Sequence, residues 1–241
     1  MINVAFITGC GHTGSTLLAR IVGAHPQISL PLRETNIFLA YNALIHASLI
    51  ESEMLNAKKE KPNAVYFVEK TPRHIWHVDY IRRVVKDSKF IFTTRNGYDV
   101  IASLYKRNQN ISESIRRYKD DSLLTIRQLD QNDSILVKYE DIINDTTKEL
   151  NKICDFLSLK YDEEMLNYHQ VKVSWNNVES FNNNFTGEVG HDNLRNWQAN
   201  QPIYQENVPW KDIIPEENWI EVFEFFDKFG KEIMTELGYK C

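Results

Sequence analysis

The N-terminal half of the chain alternates two kinds of pattern. Short runs that are apolar at nearly every position are separated by stretches whose apolar residues recur three and four apart. Residues 2–8, 64–68, 89–94 and 134–138 are of the first kind, rich in Val, Ile, Phe and Thr. They read as strands buried on both faces, as in a parallel sheet. Residues 16–22 have helical spacing through Leu17, Leu18, Ile21 and Val22, and His25-Pro26 stops the run. The same spacing predicts helices over 34–50, with Glu34 in the first turn, and over 74–86, 97–107, about 145–157 and 162–169. The stretches near 105–125 and over 174–210 read as loops. Helical spacing returns over 216–237 in Trp219, Val222, Phe223, Phe226, Phe229 and Ile233. Alternating strands and helices predict an α/β fold in three layers, a central parallel sheet flanked by helices, with a loop-rich C-terminal cap.

Composition narrows this picture. A chain of 241 residues suits one domain, here taken as 1–241. Lys plus Arg number 28 and Asp plus Glu 33, a net charge of −5. That balance argues against a broad basic face for nucleic acid. The start lacks a basic n-region, and the most apolar long stretch, 37–50, is too short to span a bilayer. Cys10, Cys154 and Cys241 are sparse and unclustered, which suggests a reducing, cytoplasmic setting without a disulfide framework. No metal-ligand spacing stands out.

The candidate chemistry begins after the first strand, at Gly9-Cys10-Gly11-His12-Thr13-Gly14-Ser15-Thr16. A strand, a glycine loop and a helix N-terminus make an anion site, because backbone N–H groups and the helix dipole converge there. The fold is therefore expected to be P-loop-like. Gly9, Gly14 and Thr16 fit the frame of the nucleoside-triphosphatase loop, but Ser15 stands where that loop has its lysine. Gly9, Gly11 and Gly14 also fit the dinucleotide fingerprint, whose acidic partner would be Glu34.

Further segments carry a resemblance. Gly11 to Leu18, His25-Pro26, Glu69-Lys70-Thr71-Pro72-Arg73, Phe90 to Ser103 (with Arg95-Asn96-Gly97-Tyr98-Asp99) and Val137-Lys138-Tyr139-Glu140-Asp141-Ile142 occur in this order. Together they resemble the sulfotransferases that use 3′-phosphoadenosine-5′-phosphosulfate (PAPS). A looser match lies at 187–197.

The resemblance implies a set of roles. Gly11, His12, Thr13, Gly14, Ser15 and Thr16 would hold the 5′-phosphosulfate, and Arg95 with Ser103 the 3′-phosphate. Arg195 would belong to a segment closing over the nucleotide. Lys70 would be a second cation near the bridging oxygen. His12 stands where many members have Arg or Lys, and its titration predicts a rate falling above roughly pH 7. Leu32-Arg33-Glu34-Thr35-Asn36 resembles the Glu-Thr segment of tyrosylprotein sulfotransferases, which makes Glu34 the general base, with His74 as runner-up. The implied reaction is in-line transfer of a sulfuryl group to a hydroxyl or amine, leaving 3′,5′-ADP and needing no metal. The acceptor is expected to be a small molecule, with no nucleic-acid or membrane partner. Tyr41, Trp175, Phe181, Phe185 and Tyr204 are candidate acceptor-pocket residues. Rival readings are a P-loop small-molecule kinase and a catalytically silent nucleotide-binding protein.

Overall fold

The computed structural model of the chain describes residues 2–39, 43–178, 188–203 and 208–240. Within them five strands form one sheet: β1 (Asn3–Gly9), β2 (Ile28–Ser29), β3 (Tyr66–Lys70), β4 (Lys89–Thr94) and β5 (Ser134–Lys138). Their order is β2-β3-β1-β4-β5, and every neighbouring pair is parallel. The helices are α1 (Ser15–Gly23), α2 (Ala43–Glu60), α3 (Val78–Val84), α4 (Gly97–Asn108), α5 (Ile111–Gln128), α6 (Tyr139–Asn144), α7 (Thr146–Phe156), α8 (Glu188–Ala199), α9 (Trp210–Ile213), α10 (Trp219–Phe225) and α11 (Lys231–Glu236).

β1 is the central strand and is buried on both faces. Ala5 and Ile7 pack with Leu18, Ile21 and Val22 of α1 and with Leu150 and Ile153 of α7. Val4 and Phe6 point the other way, into a cluster with Ile50 of α2, Val78 and Ile81 of α3, and Phe90 and Phe92 of β4. This two-sided burial is why the strand runs are apolar throughout rather than alternating. A third cluster joins α4 and α5 to α10 and α11.

Parallel strands put all their carboxyl ends on one edge. Gly9, Lys70, Thr94 and Lys138 end their strands there, with Ile7 paired to Lys70 and Thr94 to Lys138 in register. The chain builds β2 and β3 on one side of β1, then crosses to β4 and β5 on the other. In open α/β sheets, ligands bind outside the carboxyl ends at such a change of direction.

Several boundaries differ from the sequence expectation. The helix predicted over 34–50 starts at Ala43 and extends to Glu60, so Glu34 lies in a loop. Asn36 sits in the left-handed region at φ 55°, and Ile37–Leu39 forms a short 3-10 turn, which together preclude a helix through 34–39. The third strand runs over 66–70 rather than 64–68, because Glu69 and Lys70 stay in the sheet, fully buried and paired. The stretch near 105–125, read as loop, is the end of α4 and most of α5. Its inward face carries Ser114, Asp121, Ser122, Thr125 and Gln128, so a polar buried face hid the helical pattern. α8 interrupts the expected loop 174–210 for a similar reason, since the buried residues at its end are Asn196 and Ala199, followed directly by the buried Asn200. Residues 162–169 hold 3-10 turns instead of a helix, and the two-residue β2 was not foreseen.

Candidate active site

The glycine loop follows β1 and leads straight into α1. Gly9 is at φ +135°, and a Cβ there would meet the Thr93 carbonyl oxygen at 2.6 Å. Gly14 is at φ +82°, and its Cβ would strike the Tyr139 ring at 2.5 Å. Neither position admits a side chain, so the backbone itself forms the concave surface. Thr13 Oγ1 donates to the Cys10 carbonyl at 2.8 Å and stands 2.7 Å from Thr93 Oγ1, tying the loop to β4. Gly14 occupies the N-cap of α1 without a side-chain cap, leaving the first N–H groups of the helix to an anion. Ser15 is buried and Thr16 half-buried beside them.

Beside Thr16 the sheet edge brings together an acid and two bases. Lys70 Nζ donates to Glu34 Oε1 at 2.7 Å and to Thr16 Oγ1 at 3.2 Å. Arg195 Nη1, from α8, donates to the same Glu34 oxygen at 2.6 Å. The Lys70 side chain is completely buried, and its ammonium lies 4.7 Å from the Trp175 ring centroid, a cation–π contact. Burial pushes the Lys70 pKa down to about 8, and Glu34 only partly restores it. Burial alone would raise the Glu34 carboxyl, but Lys70 and Arg195 outweigh it and hold the group below the usual carboxylate range. Glu34 is thus ionised at neutral pH.

Glu34 owes its place to Glu69, which sequence reasoning did not single out. Glu69 Oε1 accepts from the Thr35 N–H at 3.2 Å, the Thr35 hydroxyl at 2.9 Å and the Thr71 hydroxyl at 2.6 Å. Its other oxygen lies 2.9 Å from His74 Nδ1. His74 Nε2 accepts from the Phe38 N–H at 3.3 Å, while Nδ1 faces Glu69 without hydrogen-bond alignment. Both side chains are fully buried. His74, the runner-up base, is therefore a fixed prop for the Glu34 loop and is closed off from any acceptor.

On the far side of the loop, His12 Nδ1 lies 2.8 Å from Ser103 Oγ of α4. His12 has φ 70°, in the left-handed region. Arg95 follows β4 directly. Its guanidinium lies 4.7 Å from the Tyr139 ring centroid and 3.5 Å from Asp99 Oδ2, and its buried Nε has no hydrogen-bond partner among the described residues. A buried guanidinium N–H without a partner fits an anionic group held there. Tyr139 thus touches both anion-facing segments, the Gly14 turn and Arg95. Glu140 next to it accepts from the Asn96 N–H at 2.8 Å and from the Tyr239 hydroxyl at 2.9 Å, fixing the turn after Arg95. The residues predicted for the site therefore gather in two groups around one loop: Glu34, Lys70, Thr16 and Arg195, and His12 with Ser103. Arg95 is linked to the loop through Tyr139.

Trp175 is fully buried beneath Lys70 and lines no open pocket. Tyr41, Phe181, Phe185 and Tyr204 lie outside the described residues. Among the described residues, no cluster of three or more His, Cys, Asp and Glu side chains is arranged to hold a metal, and no helix is long and apolar enough to cross a membrane.

Comparisons with known proteins bear on the family and the fold. A family model described as "Sulfotransferase family" matches residues 34–163, more than half of the chain. A Caenorhabditis briggsae protein provisionally named a protein-tyrosine sulfotransferase is 25% identical over 223 residues, covering 80% of this chain and 79% of the relative. A mouse sulfotransferase crystallised with PAP superposes with a TM-score of 0.62 at 14% identity, covering 99% of this chain and 89% of the other. The sulfotransferase domain of the Synechococcus PCC 7002 olefin synthase gives a TM-score of 0.57 at 20% identity, covering 95% and 96%. At such identities the superpositions show a shared fold.

Proposed function

The chain belongs to the sulfotransferase family, and from that premise we propose that it moves a sulfuryl group from PAPS to the hydroxyl or amine of a small acceptor, leaving 3′,5′-ADP. The observation that carries this reading is the meeting of Glu34, Lys70, Thr16 and Arg195 at the carboxyl edge beside an uncapped helix N-terminus. A proton acceptor then stands next to cations suited to a departing phosphate, as in-line transfer requires. The bound donor supplies an activated sulfuryl group on a phosphate leaving group.

The residues divide the work as follows. The N–H groups of residues 11–16 and the Ser15 and Thr16 hydroxyls cradle the 5′-phosphate. Arg95 and Ser103 hold the 3′-phosphate, and the unmatched Arg95 Nε favours that assignment. Glu34 takes the acceptor proton as the acceptor oxygen or nitrogen bonds to sulfur and the bond from sulfur to the phosphate oxygen breaks. Lys70 meets the charge left on that oxygen. Arg195 shares Glu34 Oε1 with Lys70 and adds a second positive charge on the donor side of that carboxylate. As anionic donor draws Lys70 and Arg195 away, the influence that depresses the Glu34 pKa weakens and its strength as a base grows. The buried free thiols of Cys10 and Cys154 fit the reducing, cytoplasmic setting in this reading. A peptide tyrosine is the second acceptor class to test, favoured by the Caenorhabditis briggsae relative.

Thermal melting tests the donor assignment. Ligand at about a hundredfold excess over Kd stabilises a native state by about 2.7 kcal/mol, so 3′,5′-ADP and PAPS are each expected to raise Tm by roughly 5–10 °C. ATP with Mg²⁺ and NAD are expected to raise it by much less. A shift with ATP and Mg²⁺ but none with 3′,5′-ADP refutes the proposal in favour of the kinase reading.

A further inference from the structure

The phosphate loop, residues 9–16, contains no lysine or arginine. Its one basic side chain is His12, whose Nδ1 lies against Ser103 Oγ at 2.8 Å. A permanent cation nevertheless reaches the loop from α5, the helix whose polar inner face concealed it in the sequence. Arg117 stands over Gly11: a Cβ built on that glycine would lie 2.7 Å from Arg117 Nη2 and 3.4 Å from the guanidinium carbon. Gly11 is buried, while the Arg117 side chain keeps 27% of its exposure.

The guanidinium is oriented from behind. Arg117 Nε lies 3.6 Å from Asp121 Oδ2, one turn along α5, and Asp121 is almost fully buried. That distance is too long for a hydrogen bond, so Asp121 directs the fork without consuming its N–H donors. Asp121 is itself pinned, since Oδ1 accepts from the Trp76 indole N–H at 2.7 Å. Trp76, in the turn after β3, is half exposed, and its indole N–H is the group that fixes Asp121. Trp76, Asp121 and Arg117 thus form a chain of contacts ending at the phosphate loop, opposite the end where Lys70 meets Thr16.

We propose that Arg117 is a catalytic cation of the sulfuryl-transfer site, donating to the equatorial oxygens of the sulfuryl group, and that Asp121 and Trp76 are its positioning residues. Charge spreads over those oxygens during in-line transfer, and a planar fork with spare donors suits them. The inference rests on the sulfotransferase reading above. It also gives Gly11 a purpose: the backbone there is not left-handed, so glycine is required by the guanidinium rather than by the turn.

Equilibrium binding and turnover of four variants test the proposal. Arg117→Ala is expected to lower kcat and PAPS affinity by about ten- to a hundredfold, the scale of one charge-assisted hydrogen bond. It should leave 3′,5′-ADP affinity within about twofold, because that product lacks the sulfuryl group. Arg117→Lys should recover part of both losses. Gly11→Ala needs only the flexible end of Arg117 to shift, so it should keep the wild-type Tm while losing activity. Combined with Arg117→Ala it should cost little more, since both act through one group. Equal weakening of PAPS and 3′,5′-ADP overturns the proposal, as does unchanged kcat in Arg117→Ala or full additivity in the double variant. Failure of the wild-type protein to bind 3′,5′-ADP would instead overturn the donor assignment itself.

Discussion

Glu34→Gln is expected to slow turnover by about 10²-fold or more, the usual scale of losing a general base, while 3′,5′-ADP binds as tightly as before or more tightly. The second half follows from geometry. Glu34 Oε1 accepts from both Lys70 and Arg195 and so offsets one of their two positive charges. The amide keeps an oxygen that accepts from them but removes the negative charge, so the positive potential offered to a phosphate rises. Stability should also fall, because the buried Lys70 ammonium loses its charged partner. Steady-state kinetics and calorimetric titration with 3′,5′-ADP measure both quantities. Wild-type turnover in Glu34→Gln would remove Glu34 as the base. Reduced turnover with a proportionate loss of 3′,5′-ADP affinity would show that it serves the shape of the donor site.

Lys70→Met has the next largest expected effect. Methionine keeps the apolar stem in its buried slot and removes only the charge. If Lys70 stabilises the leaving phosphate oxygen, kcat should drop by roughly 10²–10³-fold, the scale for one preorganised donor at a developing charge. The pH dependence adds a second signature. Burial, acting against Glu34, lowers the Lys70 pKa to about 8. The ammonium is therefore charged below that value and neutral above it. For the free enzyme, kcat/KM for the donor should decline as pH rises through about 8, and Lys70→Met should lack that limb. Profiles from about pH 6 to 9.5 check the sign. A decline that persists unchanged in Lys70→Met belongs to another group, His12 first, and wild-type kcat in the variant would exclude the role.

The sequence is legible where one residue type answers to one physical demand. Buried parallel strands demand continuous apolar runs, and 2–8 and 89–94 show them, while the edge strand over 134–138 is mostly half-buried and carries Ser134 and Lys138 at its ends. A strand-to-helix anion turn demands glycine, and Gly9 and Gly14 prove incompatible with any side chain. Legibility fails where burial is polar. Glu69 and Lys70 looked like the loop after a strand, yet they are its fully buried last residues because each meets an opposite charge or hydrogen-bonding group. α5 and α8 bury Ser, Thr, Asp, Asn and Gln, so their periodicity in apolar residues is weak, and with α5 the position of Arg117 was lost. The resemblance singles out Glu34, and the helical spacing sets it in the first turn of a helix, which the structure corrects. It lies not in the first turn of a helix but on a loop that Glu69 fastens through Thr35. A second source of pH dependence stands beside the same loop, because burial lowers the Lys70 pKa to about 8.

The most direct test of sulfuryl transfer is incubation of the purified protein with ³⁵S-labelled PAPS and a panel of phenols, alcohols, amines and tyrosine peptides. The account requires label in at least one acceptor, with stoichiometric 3′,5′-ADP, and loss of that labelling in Glu34→Gln. Binding of 3′,5′-ADP without label in any acceptor class, or labelling undiminished in Glu34→Gln, would contradict it.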